Sequence, residues 1–132
     1  MQKFDGFIAA IAEGFNLTFH KSGEGAYTTG VEFDNGHTQE VLVTLAWDEA
    51  DDRQIHYYSV VAGVKADNLE LYKYALTINA ALDYGALALL DDTLILRNTI
   101  LLEECDPLRF IKSLTYIAAK ADELTERLVK QE

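Results

Sequence analysis

Hydrophobic residues recur every three or four positions in the first segment of the chain, residues 2–13. This spacing predicts a short amphipathic helix with one apolar face, and Gly14 follows it as a typical helix end. The residues on the apolar face are Phe4, Phe7, Ile8 and Ile11.

A period of two replaces the helical period in the next part of the chain. Residues 27–34 end at Asn35-Gly36, a dipeptide that favours a tight hairpin because both residues tolerate positive φ. Residues 38–47 alternate apolar and polar side chains, and residues 54–63 are rich in β-branched and aromatic ones. We therefore expect a meander of three antiparallel strands, preceded at most by a brief strand around residues 17–19.

A second helix is predicted over residues 67–82, where Asp67 and Glu70 have the spacing of a capping box. A helix that covers one sheet face needs a single apolar stripe, but this helix has two on nearly opposite sides. A homodimer interface would explain the surplus stripe economically, and the alternative is that the terminal helices cover both stripes within one monomer. One stripe holds Leu71, Tyr74, Ala75, Ile78, Ala81 and Leu82, and the other holds Leu69, Tyr72, Leu76 and Ala80.

A third helix is predicted from Asp106-Pro107 to about residue 129. The aspartate is a favourable cap, and proline fits the first helical position because its missing N–H costs nothing there. The apolar stripe of this helix contains Ile111, Leu114, Ala118, Ala121, Leu124 and Leu128.

Two further apolar runs, residues 85–90 and 93–102, flank Asp91-Asp92 and predict a second hairpin. The element order is then helix, three strands, helix, two strands, helix. An antiparallel sheet packed by helices indicates an α+β fold. A length of 132 residues with 49% hydrophobic side chains suits one domain that spans residues 1–132.

Acidic residues outnumber basic ones by 22 to 11, which gives a net charge of -11. That charge repels phosphate backbones, so we expect no nucleic-acid partner. The apolar start of the chain is interrupted by Asp5 and Glu13, unlike a secretory signal, and no run is long enough to span a bilayer. Cys105 is the single cysteine and can form no intramolecular disulfide. We expect a cytoplasmic protein without a membrane partner.

The second half of the chain resembles a known family. Residues 80–102, AALDYGALALLDDTLILRNTILL, contain a glycine-led strand, an acidic turn and an L-I-L-R-x-T-x-x-L strand. This hairpin, the amphipathic helix after it and the element order are similar to the type III secretion chaperone-like proteins, which include the Tir-chaperone (CesT-like) and YbjN-like groups. The likeness in sequence covers the last third to half of the chain, and the likeness in element order covers nearly all of it.

The resemblance implies a small acidic homodimer that binds a segment of a partner protein. The matching dimer element is the second helix, through Leu71, Tyr74, Ile78 and Leu82. Apolar residues expected to be exposed on the first helix and the sheet would bind the partner, namely Phe4, Phe7 and Trp47.

Residues that could carry chemistry are few and scattered. His20, His37 and His56 lack metal-ligand spacing, and the acidic turn at residues 48–52 lacks the glycine and distal glutamate of an EF-hand. Cys105 lies among acidic residues that disfavour its thiolate. We therefore predict no catalytic residues, no metal and no cofactor.

The sequence predicts a non-catalytic protein-binding module, a homodimeric chaperone or adaptor. The alternative is a small-molecule- or metal-binding enzyme or sensor whose site combines the histidines with the acidic turns. A structural or regulatory subunit of a larger assembly has the same sequence features as the adaptor.

Overall fold

A computed structural model describes residues 1–64 and 68–131, with the side chains of residues 129–131 excepted. In this part of the chain three α-helices accompany six strands, and a short 3-10 turn, Leu102–Glu104, precedes the last helix. The elements are α1 (Gln2–Phe15), β1 (Phe19–Gly23), β2 (Ala26–Glu32), β3 (Thr38–Trp47), β4 (Arg53–Gly63), α2 (Leu69–Asn79), β5 (Ala86–Leu90), β6 (Thr93–Leu101) and α3 (Pro107–Gln131).

The strands form one antiparallel sheet in the order β1-β2-β3-β4-β6-β5. β6 lies between β4 and β5, so α2 carries the chain across one strand and β5 becomes an edge. The α+β prediction and the predicted number and order of helices are confirmed. The sheet has six strands, one more than the five predicted in the meander and the second hairpin, because β1 pairs with β2 along Phe19–Gly23, beyond the brief segment expected at residues 17–19. The hydrophobic pattern hardly indicates β1, because its side chains are almost all polar and exposed.

The helix ends differ from the predicted ones for local reasons. α1 continues past Gly14 to Phe15, and Asn16 ends it in the left-handed conformation with φ of 55°. Asn is the non-glycine residue that adopts this conformation most readily. α2 is shorter than predicted and ends at Asn79. Its observed cap is Asn68, whose side chain accepts a hydrogen bond from the Leu71 N–H at 3.1 Å. The predicted cap Asp67 lies outside the described residues.

The turn between β2 and β3 has three residues instead of two. The Phe33 N–H donates to the His37 carbonyl at 2.9 Å, and the Gly36 N–H donates to the Phe33 carbonyl at 3.0 Å. Only Gly36 has positive φ, at 87°, so the expectation of positive φ at Asn35 was wrong. A turn closed by one left-handed glycine is the usual form of a three-residue hairpin loop.

α1 and α3 pack against one face of the sheet and form the core with it. At its centre the Tyr57 ring packs edge-to-face on Phe110 at 5.2 Å. The Tyr57 hydroxyl lies 2.5 Å from the Ser113 hydroxyl and accepts from the Asn98 amide at 2.9 Å. As predicted, Asp106 caps α3, since its side chain accepts from the Arg109 N–H at 3.1 Å.

Candidate protein-binding surface

The two apolar stripes of α2 have different environments. Leu71, Tyr74 and Ile78 are half-buried against the core, and Ala75 is fully buried. The Tyr74 hydroxyl also lies near Arg127 of α3, and this proximity raises the pKa of Arg127. Leu82 lies beyond the end of the helix and is half-buried against the same core. The four residues predicted as dimer contacts therefore pack against their own sheet and α3, which leaves them little free apolar surface.

The opposite stripe is largely exposed, apart from the half-buried Tyr72. Leu69 retains 61% and Leu76 retains 71% of its accessible surface. On the neighbouring edge strand β5, Leu89 and Leu90 retain 50% and 46%. We call these four leucines of the two neighbouring elements the α2–β5 surface, in which Leu89 and Leu90 point to opposite faces of the sheet. An exposed leucine forgoes about 1.5–3 kcal/mol of burial free energy, so such a group is notable on a small domain.

Asn79 joins α2 to β5. Its side-chain oxygen accepts from the Leu87 N–H at 2.6 Å, and its amide donates to the Leu87 carbonyl at 3.3 Å. These are backbone groups on the side of β5 away from β6. The end of α2 thus satisfies backbone hydrogen-bonding groups at the open edge of the sheet. Covering an edge strand in this way is a common means of protecting it.

Sequence reasoning missed Leu89 and Leu90, although a signal was present. Successive strand residues point to opposite faces, so adjacent leucines on an edge strand cannot both enter one core. The strand register places another apolar row on the sheet face opposite α1 and α3, where Val60 pairs with Ile95 and Ile95 pairs with Ala88. Val60 retains 44% of its surface.

The three residues predicted to bind a partner are differently exposed. Phe4 is fully buried, and its ring packs edge-to-face on Tyr27 at 5.7 Å, so the expectation that it is exposed was wrong. It belongs to the inward stripe of α1. Phe7, at the border of that stripe, is half-buried and packs on Phe110 at 5.3 Å. Trp47 ends β3 with 62% of its surface accessible.

Two groups that could act as nucleophiles, Cys105 and Tyr27, are held in their protonated forms. Burial, followed by the charge of Asp106, raises the pKa of Cys105 to about 11. The hydrogen bond from Tyr27 to the Asp5 carboxylate, at 2.6 Å, raises the pKa of Tyr27 to about 12. In the described part of the chain every buried side-chain polar atom has a hydrogen-bond partner. Neither group has the lowered pKa of an activated nucleophile.

The histidines do not assemble with the acidic turns. His56 lies beside Gln54, with 2.6 Å between its Nε2 and the Gln54 side-chain oxygen, and burial lowers its pKa. His37 instead faces α3, where its Nδ1 lies 3.1 Å from Asp122 Oδ2, and this contact raises the pKa of His37. In the acidic turn the Asp48 carboxylate accepts from two backbone N–H groups of its own loop.

An open groove of about 780 Å³ runs along α3. Aromatic and apolar side chains predominate in its lining, and none of the three histidines contributes to it. The groove is lined by Val31, Glu32, Phe33, Asp83, Tyr84, Lys112, Thr115, Tyr116 and Ala119.

Among the residues described, no helix is both long and apolar enough to cross a membrane.

Comparison with known proteins finds likeness in structure only. No protein-family model matches the chain, and no curated protein matches its sequence. Similar solved structures include the ExsC-ExsE complex, with a TM-score of 0.67 and 15% identity over 95% of this chain and 92% of the other. The HopA1-SchA chaperone-effector complex has a TM-score of 0.60 and 12% identity over 94% of each chain.

A third similar structure is the Yersinia pestis type III secretion chaperone SycH in complex with a fragment of YscM2. Its TM-score is 0.57, with 18% identity over 92% of this chain and 98% of the other. At these identities the likeness is one of fold. The chain has the type III secretion chaperone-like fold, as its sequence predicted.

Proposed function

We propose that this chain is a non-catalytic chaperone or adaptor that, as a homodimer, holds a segment of another protein. The observation that carries the proposal is the α2–β5 surface, where four exposed leucines lie on a domain whose own core is already filled. Two of the similar structures, a chaperone-effector complex and a secretion chaperone with a bound fragment, are examples of protein binding by other chains of this fold.

The α2–β5 surface is the proposed dimer contact. A two-fold interface buries the same patch on both copies, and a helix beside a protected sheet edge can supply such a self-complementary patch. Leu69 and Leu76 would make the contact directly. Leu71, Tyr74, Ile78 and Leu82 would support it from beneath by fixing α2 against the core.

The proposed partner-binding surface lies elsewhere, around the end of β3. Trp47 is its most exposed aromatic residue, and Phe7 on α1 would contribute only as a half-buried side chain. The net charge of -11 favours this role, because strong charge limits non-specific association of a domain that exposes leucines. A cytoplasmic location belongs to the same proposal, since a lone cysteine suits a reducing compartment.

The experiment is a capture of partners from native lysate with the tagged wild-type chain and two variants. Trp47→Ala should lose a stoichiometric partner while keeping the oligomeric state of the wild type. Leu108→Asp is the matched control, because it removes another exposed apolar side chain, 65% accessible on α3. A partner that Trp47→Ala loses and Leu108→Asp keeps supports the proposal. A wild-type chain that captures no stoichiometric protein, in lysates where it is normally expressed, contradicts it.

A further inference from the structure

Three ligand-type side chains meet where the β2–β3 turn approaches α3. His37 lies just after the turn, and Asp122 and Glu126 are one helical turn apart on the facing side of α3. Their nearest ligand atoms all lie within 4.8 Å of one another. Since 85 residues separate His37 from Asp122, this cluster is produced by the fold and not by local sequence.

The distances suit a small transition-metal ion. His37 Nδ1 lies 3.1 Å from Asp122 Oδ2 and 3.4 Å from Glu126 Oε1. Zinc binds nitrogen and oxygen ligands at about 2.0–2.2 Å, so two ligands of a tetrahedral zinc site are about 3.3–3.6 Å apart. An ion can therefore occupy the position between these atoms after small side-chain movements.

The ligand types and the charge of the cluster also suit a zinc ion. An imidazole with carboxylates selects zinc-like ions, whereas calcium and magnesium prefer oxygen ligands alone. Two carboxylates balance the charge of a divalent ion when the imidazole is neutral. The side chain of Asp122 is only 20% exposed and is held in place by its surroundings, while those of His37 and Glu126 are 45% and 51% exposed and give the ion a route from solvent.

We propose that His37, Asp122 and Glu126 bind one Zn²⁺ ion within a single chain, with the remaining coordination positions open to water. The bound ion joins the β2–β3 turn to α3 and so fixes one end of the sheet on the long helix. This site lies apart from the α2–β5 surface, and its existence is independent of the proposed chaperone function.

The test is calorimetric titration of ZnCl₂ into the full chain after metal removal with a chelator, with Co²⁺ absorption as a second readout of the ligand geometry. Wild type should bind one Zn²⁺ per chain. His37→Gln and Asp122→Asn should each bind at least about tenfold more weakly. His20→Gln is the matched control, because it removes another exposed histidine, and it should bind like wild type.

Thermal unfolding provides the second measurement. Zn²⁺ should raise the melting temperature of wild type and of His20→Gln by several degrees, and that of His37→Gln by much less, since an ion that binds only the folded chain stabilises it. Circular dichroism verifies that the exposed substitutions leave the fold intact. Three results would overturn the proposal: no binding by wild type at millimolar zinc, equal binding by His37→Gln, or one ion shared between two chains.

Discussion

α3 and α2 use their apolar residues in opposite ways. α3 is 25 residues long and buries one continuous stripe, with Phe110, Leu114 and Ile117 fully inaccessible. α2 is 11 residues long, buries only Ala75 completely, and leaves Leu69 and Leu76 largely exposed. This difference in burial shows that a hydrophobic pattern on a helix can have two meanings. A single stripe indicates a helix that forms the core, whereas a second stripe indicates surface available for another chain.

The largest effect on stability is expected when the same leucine-to-alanine substitution is made in each of the two helices. Leu114→Ala should lower the free energy of unfolding by about 2–5 kcal/mol, because it leaves a cavity in a fully buried position. Leu76→Ala should change the stability of the isolated monomer by no more than about 0.5 kcal/mol. Urea denaturation, measured at dilutions where the chain is monomeric, compares them. Similar losses in both variants would show that α2 is as much a part of the core as α3.

A smaller loss is expected at Gly85, where the segment after α2 passes over β6 and α3. Gly85 has φ of 73°, and an added Cβ would clash with the Arg97 carbonyl oxygen and lie 2.8 Å from Ile117 Cδ1. Gly85→Ala should therefore lose about 2–3 kcal/mol of stability, from backbone strain and from contact with backbone atoms that cannot move aside.

Gly14→Ala is the control for this substitution. Gly14 lies in α1 with open space around it, so alanine there should be neutral or stabilising by up to about 1 kcal/mol. Thermal melts of both variants measure the difference in stability. They show how tightly the segment before β5 packs against β6 and α3. A Gly85→Ala variant as stable as wild type would mean that this junction is loosely packed.

The smallest effect is expected at the surface next to the start of α3. Glu103 accepts hydrogen bonds from Lys3 of α1 and Arg53 of β4, and these contacts lower its pKa. A lowered pKa in the folded chain means that the stabilisation is present above the unfolded pKa and is lost as pH falls through the folded value.

Glu103→Gln should therefore be slightly less stable than wild type at pH 7, and the two should converge in acid, below the ordinary glutamate range. Chemical denaturation at a series of pH values measures the difference. A gap that persists or widens in acid would show that Glu103 acts through packing and not through its charge.

Parts of the fold with strong local signals were predictable from the sequence. β3 has the bounds Thr38–Trp47 that its alternation indicated, and α3 begins at the predicted aspartate cap. α2 was predicted too long, because its helical periodicity continues through Leu82 while the chain turns away after Asn79 to reach β5. Periodicity reports which residues could share a face and does not report where tertiary connections end a helix.

The site was less predictable than the fold. Sequence periodicity identified two stripes on α2 but could not decide which one faces the core, and the dimer prediction fell on the stripe that packs inward. The His37 cluster depends on a turn and a helix that are distant in sequence, so it was visible only once the sheet had been assembled. The exposure of Phe4 was misjudged, because the sequence of α1 does not show which residues of its apolar stripe face the core and which lie at its border.

The most direct test of the account is the mass of the chain in solution, measured by sedimentation equilibrium for wild type, Leu69→Asp/Leu76→Asp and Leu108→Asp. If the outer stripe of α2 is an interface between copies, wild type and Leu108→Asp should have twice the chain mass of 14.8 kDa, and the double variant should be a folded monomer. A wild-type monomer at all concentrations, or a double variant that remains dimeric, would contradict the assignment of the α2–β5 surface.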